Sequence, residues 1–305
     1  MAFILSDRFC TFSIMKTSLS HLPAHKQDEI TEIIDVIREE ANPDKIILFG
    51  SHATGNWVED SYTENGTIYT YISDYDFLVV IKRNAEVKEH DLISRIENRT
   101  LKYKNEVSPI VHDIDYINAG LEKGQYFFQE IVNKGILLFD SGLYQFSKAK
   151  LATPEEQKEI SQYYYKKWIE SGIRMFQHTT NSFCYSIEKN FPLNEVIFYL
   201  HQATERFYAG LLLIHTGYKP KSHSLKDYRR YSKHISEELN HVFLFPTEDM
   251  EERRLFMILH KSYLDSRYKD DYYISREDLE LLISKIDVLK NIVVRLCEEK
   301  IRLMN

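Results

Sequence analysis

Apolar positions recur at helical spacing between Ala24 and Ala41, where Ile30, Ile33, Ile34 and Ile37 share one face and Asn42-Pro43 supplies the stop. The pattern then changes. Lys45-Ile46-Ile47-Leu48-Phe49 is a short, nearly continuous apolar run that ends at Gly50 and predicts a buried strand. Residues 52–73 are polar and turn-rich, with Asn65-Gly66 as a hairpin signal, and β-branched and aromatic residues follow over Thr67–Ile72. Asp76–Ile81 predicts a second buried strand, about 87–105 a charged helix, and about 108–116 a third strand. Strands and helices alternate to roughly Leu138, the order of an α+β domain built on a mixed sheet.

After Asp140-Ser141-Gly142 the period becomes helical throughout. Pro154-Glu155-Glu156 opens it, and helices are expected near 155–181, 193–216, 222–238, 248–266 and 276–303. The clearest carries Val196, Leu200, Ala203, Phe207, Leu211 and Ile214 as one stripe and stops at Gly217, with Pro220 just beyond. An all-α, up-and-down helix bundle is the expected architecture of this half. The expected division is an extension over 1–23, a first domain over 24–142, a linker over 143–154 and a helical domain over 155–305. Residues 1–14 look unlike the rest, and Met15 would make a natural second start, so the first 14 residues are expected to be dispensable.

Composition narrows the function classes. A formal net charge of −7 gives no global attraction for nucleic acid, so contact with RNA or DNA would need a local basic patch. Cys10, Cys184 and Cys297 form no C-x-x-C pair, which excludes a disulfide framework and a sequence-local zinc site and fits a reducing cytoplasm. The sequence contains no apolar run of about 18 residues that would span a membrane.

The candidate chemistry sits at the borders of the first two strands. Gly50 would let the backbone approach a bulky anion, the helix start after it would offer free N–H groups to phosphate, and Ser51 would add a hydroxyl. Asp74 and Asp76, two apart, project to one face of a strand. Carboxylates so placed repel unless a hard cation lies between them, the demand that Mg2+ or Mn2+ meets. Each pair alone is common; the two in order, each bordering an apolar strand, are far more specific.

Gly50-Ser51 followed by Ser73-Asp74-Tyr75-Asp76 resembles the polymerase-β-like minimal nucleotidyltransferases over about residues 24–140. That resemblance implies that Asp74 and Asp76 hold Mg2+ and that Gly50 and Ser51 hold the triphosphate of an NTP, with ATP the first choice. The 22 residues between Ser51 and Asp74 exceed the usual gap, and the Asn65-Gly66 hairpin would absorb the excess. The family also implies a third carboxylate on a neighbouring strand. Asp113 is the first candidate and Asp115 the second, strand parity does not separate them, and the remaining alternative is that neither reaches the metal.

The helical half resembles the HEPN family through His201–Tyr208, Gly217-Tyr218-Lys219-Pro220, His223-Ser224-Leu225 and Tyr263–Tyr268. Many members are RNases with an Arg followed after four to six residues by a His. Arg267 has Tyr-Tyr-Ile at 272–274, and Arg229 with His234 fits the spacing on another helix. His201 and Glu205, one turn apart, form either a ligand pair or a buried polar network, with the network favoured; His223 is expected to steady a loop. Lys219, Lys221, Lys226, Arg229, Arg230 and Lys233 offer phosphate contacts or a solvated face.

The leading expectation is a cytoplasmic Mg2+-dependent nucleotidyltransferase that moves a nucleoside monophosphate to a protein hydroxyl, an RNA end or a small molecule. Its helical half would bind a partner or form a homodimer, in a toxin–antitoxin-like setting by analogy. An inactive nucleotide-sensing or nucleic-acid-binding module is the alternative, and an RNase ranks below both.

Overall fold

The computed structural model describes residues 9–10, 15–64, 67–83, 85–232, 235–243 and 250–304. The chain divides into two compact units between Leu151 and Ala152. Most of the 1–14 segment expected to be dispensable lies outside the described residues; within it, strand β1 (Phe9–Cys10) pairs antiparallel with a second short strand at Ala149–Lys150.

In the first unit, helix α1 (Ala24–Ala41) buries Ile30, Ile33 and Ile37 and ends at Asn42, whose left-handed backbone (φ 40°) closes the helix just before Pro43. Strand β2 (Lys45–Phe49) leads into the single turn of α2 (Gly50–Thr54). Strands β3 (Glu59–Glu64) and β4 (Thr67–Ile72) pair antiparallel in register Glu64 to Thr67; the expected Asn65-Gly66 hairpin turn lies outside the described residues. Strand β5 (Tyr75–Ile81) is buried at every position. Helix α3 (Glu89–Arg99), strand β6 (Val107–Asp113), helices α4 (Ile114–Glu122) and α5 (Tyr126–Lys134) and strands β7 (Ile136–Asp140) and β8 (Ala149–Lys150) complete the unit.

The four-stranded sheet has the order β6-β5-β2-β7 and is mixed: β2 runs antiparallel to both β5 and β7, and β6 runs parallel to β5. Ile46, Leu48, Phe77 and Val79 pack with Ile30, Ile33, Ile37, Leu92 and Ile96 in one core, so the apolar runs are continuous because the central strands have no solvent-facing side.

The second unit is helical, and no strand occurs among its described residues. Thr153 and Glu156 form a reciprocal capping box with Pro154 at the first helical position, and this starts α6 (Pro154–Tyr164). The helix expected near 155–181 runs unbroken from α6 through a π-helical turn over Tyr165–Ile169 into α7 (Glu170–Lys189) and extends further than expected. Helix α8 (Asn194–Thr216) is the bundle's central element and ends on Gly217 at φ 74°. The helix expected near 222–238 divides into α9 (Leu225–Ser232) and the single turn of α10 (Glu238–Val242). Helices α11 (Met250–Tyr268) and α12 (Arg276–Arg302) follow. Among the described residues no helix is long and apolar enough to cross a membrane.

Candidate active site

Antiparallel pairing of β2 with β5 sets Phe49 opposite Asp76, so the chain leaving β2 turns at Gly50 beside that carboxylate. Gly50 has φ 73°, and a Cβ there would overlap the Asp76 Oδ2 atom. Two independent demands, a left-handed backbone and a close approach, therefore require glycine. Ser51 follows on α2, and its Oγ is buried with no hydrogen-bond partner among the described residues. A buried hydroxyl left in that condition costs free energy that a phosphate oxygen would recover. Helix α2 spans only five residues, so its dipole is small and any anion contact rests on local N–H groups and this hydroxyl.

Asp74 and Asp76 are 6% and 3% exposed. Two nearly buried carboxylates, two positions apart on one face, are a costly arrangement that a divalent cation would offset. The orphaned Ser51 hydroxyl, the Gly50 cradle and this oxygen-only pair fit a nucleotide with a hard metal ion. The structure thus brings together Gly50, Ser51, Asp74 and Asp76.

Asp113 is not brought to them. The parallel register sets Asp76 beside Ser108 and Asp113 beside Ile81, five residues further on, about 16 Å along the strand at about 3.3 Å per residue. The expected strand over 108–116 ends at Asp113, whose carboxylate caps α4 by accepting from the Tyr116 N–H at 2.8 Å. Asp115 lies on that helix and pairs with Arg83 at 2.8 Å. In this structure Asp113 is thus engaged as a helix cap and Asp115 in a surface ion pair. The position beside Asp76 belongs to Ser108, fully buried, with an Oγ that has no hydrogen-bond partner among the described residues. Among those residues no group of three His, Cys, Asp or Glu side chains gathers as a metal cage.

Sequence reasoning missed the residues that hold the aspartate strand. His52 is buried, and its Nδ1 donates to the Asp74 carbonyl at 2.9 Å. The ring stacks on Trp57 at 5.7 Å and 8° and leans on Tyr75 at 4.4 Å. Burial pushes its pKa down to about 4, so the imidazole is neutral near pH 7. Asn105 donates to the Ser73 carbonyl at 2.8 Å and accepts from the buried Lys26 ammonium at 2.6 Å. Tyr75 points to the other face, where its hydroxyl donates to Glu29 at 2.5 Å; burial and that carboxylate raise its pKa. The 22-residue separation of His52 and Asp74 gives no periodic signal, which is why only the fold reveals the contact.

In the helical unit His201 and Glu205 are buried. His201 Nδ1 bonds the Leu259 carbonyl at 2.9 Å, and Glu205 accepts from His223 rather than from His201. His223 in turn stacks on Tyr263 at 4.3 Å, giving a polar network between helices and loop. The basic run is not a uniform solvated face. Lys219 donates to the Pro220 carbonyl and the Tyr228 hydroxyl, Arg229 to the Phe243 carbonyl, and Arg230 to Asp227. Arg267 donates to the Tyr263 carbonyl and lies over the rings of Phe198, Tyr263 and Tyr268. His234 and Lys233 lie outside the described residues.

The mixed sheet with its glycine turn and paired aspartates defines a nucleotidyltransferase domain, and comparison with known proteins agrees. Residues 31–142 match the family model for the polymerase beta nucleotidyltransferases, and residues 165–297 match that for the HEPN domain. A Methanocaldococcus jannaschii protein named as a candidate protein adenylyltransferase is 33% identical over 91 residues, which cover 28% of this chain and 80% of that protein. The chain belongs to the polymerase-β nucleotidyltransferase family and carries a HEPN domain after the transferase domain.

Proposed function

We propose that the first unit transfers a nucleoside monophosphate, AMP from ATP, to a protein hydroxyl with release of pyrophosphate. The observation that carries this reading is the meeting of Gly50 and Ser51 with Asp74 and Asp76 at one end of the β2–β5 pair. The archaeal relative's name supports the adenylyl group and the protein acceptor. The acceptor oxygen bonds to the α-phosphorus, the bond from that phosphorus to the bridging oxygen breaks, pyrophosphate departs and the hydroxyl proton passes to water. Asp74 and Asp76 would hold Mg2+ or Mn2+, which when bound supplies positive charge to the phosphate oxygens. Gly50 admits the triphosphate, and the Ser51 hydroxyl donates to it.

The test is label transfer. Protein-bound label from α-labelled ATP but not from γ-labelled ATP, dependent on Mg2+ and lost in Asp74→Asn/Asp76→Asn, is the expected result. Absence of transfer from all four NTPs, by protein that binds nucleotide, would overturn transfer and leave the second reading. That reading is a nucleotide-sensing module, and it is favoured by Ser108, which gives the metal no carboxylate at the position beside Asp76.

For the helical unit we favour binding of a partner or a second copy over RNA cleavage. Arg267 is engaged with Tyr263 and has no imidazole at 272–274. Leu281 and Val288, seven apart on α12, are 51% and 50% exposed, a spacing that suits a helix–helix contact. Light scattering of the wild type beside Leu281→Glu/Val288→Glu tests this: a wild-type dimer split by the variant supports it, and a dimer left intact contradicts it.

A further inference from the structure

We infer that His52 is a positioning residue that couples the nucleotide-binding turn to the metal-binding strand, so that occupancy of one raises affinity at the other. The inference rests on the metal–nucleotide reading of this site. His52 lies on α2, two residues after Gly50 and next to Ser51. Its Nδ1–H donates to the carbonyl of Asp74, so one side chain ties the turn to the peptide plane that sets the direction of the Asp74 carboxylate. The ring has little freedom: Trp57 and Tyr75 pack against it, and it is fully buried. The helix that carries it is fastened as well, because the His52 carbonyl accepts from His21 Nε2 at 2.7 Å.

The preceding carbonyl is held in the same way. Asn105 donates to Ser73, and its own oxygen is fixed by Lys26. Consecutive carbonyls at 73 and 74 are thus each held by a buried side chain from a different element. Asn105 and Lys26 connect the strand only to the scaffold, whereas His52 connects it to the turn formed by Gly50 and Ser51. A link of this kind makes binding at the two places interdependent, because ordering either end orders the other. Protein tethers of this sort act without touching the ligand, so the readout must be the coupling itself.

The experiment measures the dissociation constant of Mn2+ with and without a non-hydrolysable ATP analogue, by calorimetry on the full chain. The ratio of the two constants is the coupling factor. His52→Phe keeps a ring between Trp57 and Tyr75 but removes the donor; His52→Asn keeps an N–H donor near the Nδ1 position. We expect a coupling factor in the wild type that falls roughly tenfold in His52→Phe and is largely restored in His52→Asn, with all three proteins folded by their melts. Should His52→Phe fail to fold, His52→Ala replaces it and must lose the coupling that His52→Asn retains. An unchanged coupling factor in a folded donor-less variant overturns the inference. Wild-type protein that binds neither Mn2+ nor the analogue overturns instead the metal–nucleotide reading beneath it.

Discussion

At the scale of single residues, Gly50 and Ser108 make opposite predictions about one site. Gly50→Ala must place a Cβ in a left-handed backbone, which costs about 1–2 kcal/mol, and into the Asp76 carboxylate as well. The expected result is a folded but less stable protein that has lost its Mg2+-dependent nucleotide shift in thermal melts; an unchanged shift would contradict the site. Ser108→Asp adds a third carboxylate beside Asp76 in a buried position. Without metal the melting temperature should fall, because a buried like charge has no counterion. With Mn2+ the affinity should rise, roughly tenfold for an added anionic ligand, and calorimetry reads both. The meeting of the Gly50-Ser51 turn with the Asp74–Asp76 segment was legible in the sequence because each borders an apolar strand whose end is easy to locate. The distance of Asp113 from Asp76 was not legible, because it depends on the parallel register of β6 against β5, which no local pattern encodes.

At the scale of elements, the π-helical turn over Tyr165–Ile169 tests a rule against a contact. A Cβ on Gly210 of α8 would overlap the buried Ile169 Cδ1 and approach Trp168 Cβ to 3.1 Å. Helix propensity favours alanine over glycine by about 0.8–1 kcal/mol, whereas overpacking a filled interior costs about 1–3 kcal/mol. Overpacking should win: Gly210→Ala is expected to lower stability by about 1 kcal/mol in urea unfolding, and a rise would show that the contact yields. The strands β2 and β5 and the helices α8 and α12 were readable from periodicity, since each has an unbroken apolar run or stripe. The π-helical turn joining α6 to α7 was not, because one extra residue in the turn leaves the apolar spacing nearly intact. Nor did composition reveal that Lys219, Arg229 and Arg230 spend donors inside the unit, since a basic helix looks the same whether its charges face water or carbonyls.

At the scale of the whole molecule, acid should weaken the protein through His52 in the first unit and through two histidines of the helical unit. Burial pushes the pKa of His215 and of His260 down to about 4, so both are neutral in the fold and take up protons only on unfolding. The unfolded chain therefore binds more protons between pH 4 and about 6.5. Stability is fully present above that window and is lost as pH falls through it, at up to about 1.4 kcal/mol per pH unit for each group. Melting temperatures measured across this range should drop, and His260→Phe should make the slope shallower; an equal slope would remove His260 from the account. In the first unit, a nucleotidyltransferase domain, the turn and the aspartates form the proposed metal–nucleotide site. Thermal melts of the full chain against each NTP, with and without Mg2+ and beside Asp74→Asn/Asp76→Asn, test it most directly. A ligand at about 100 times its dissociation constant stabilises the native state by about 2.7 kcal/mol, so a shift that needs both nucleotide and Mg2+ and vanishes in the variant is the result predicted. No shift with any NTP, or one that survives in the variant, would contradict it.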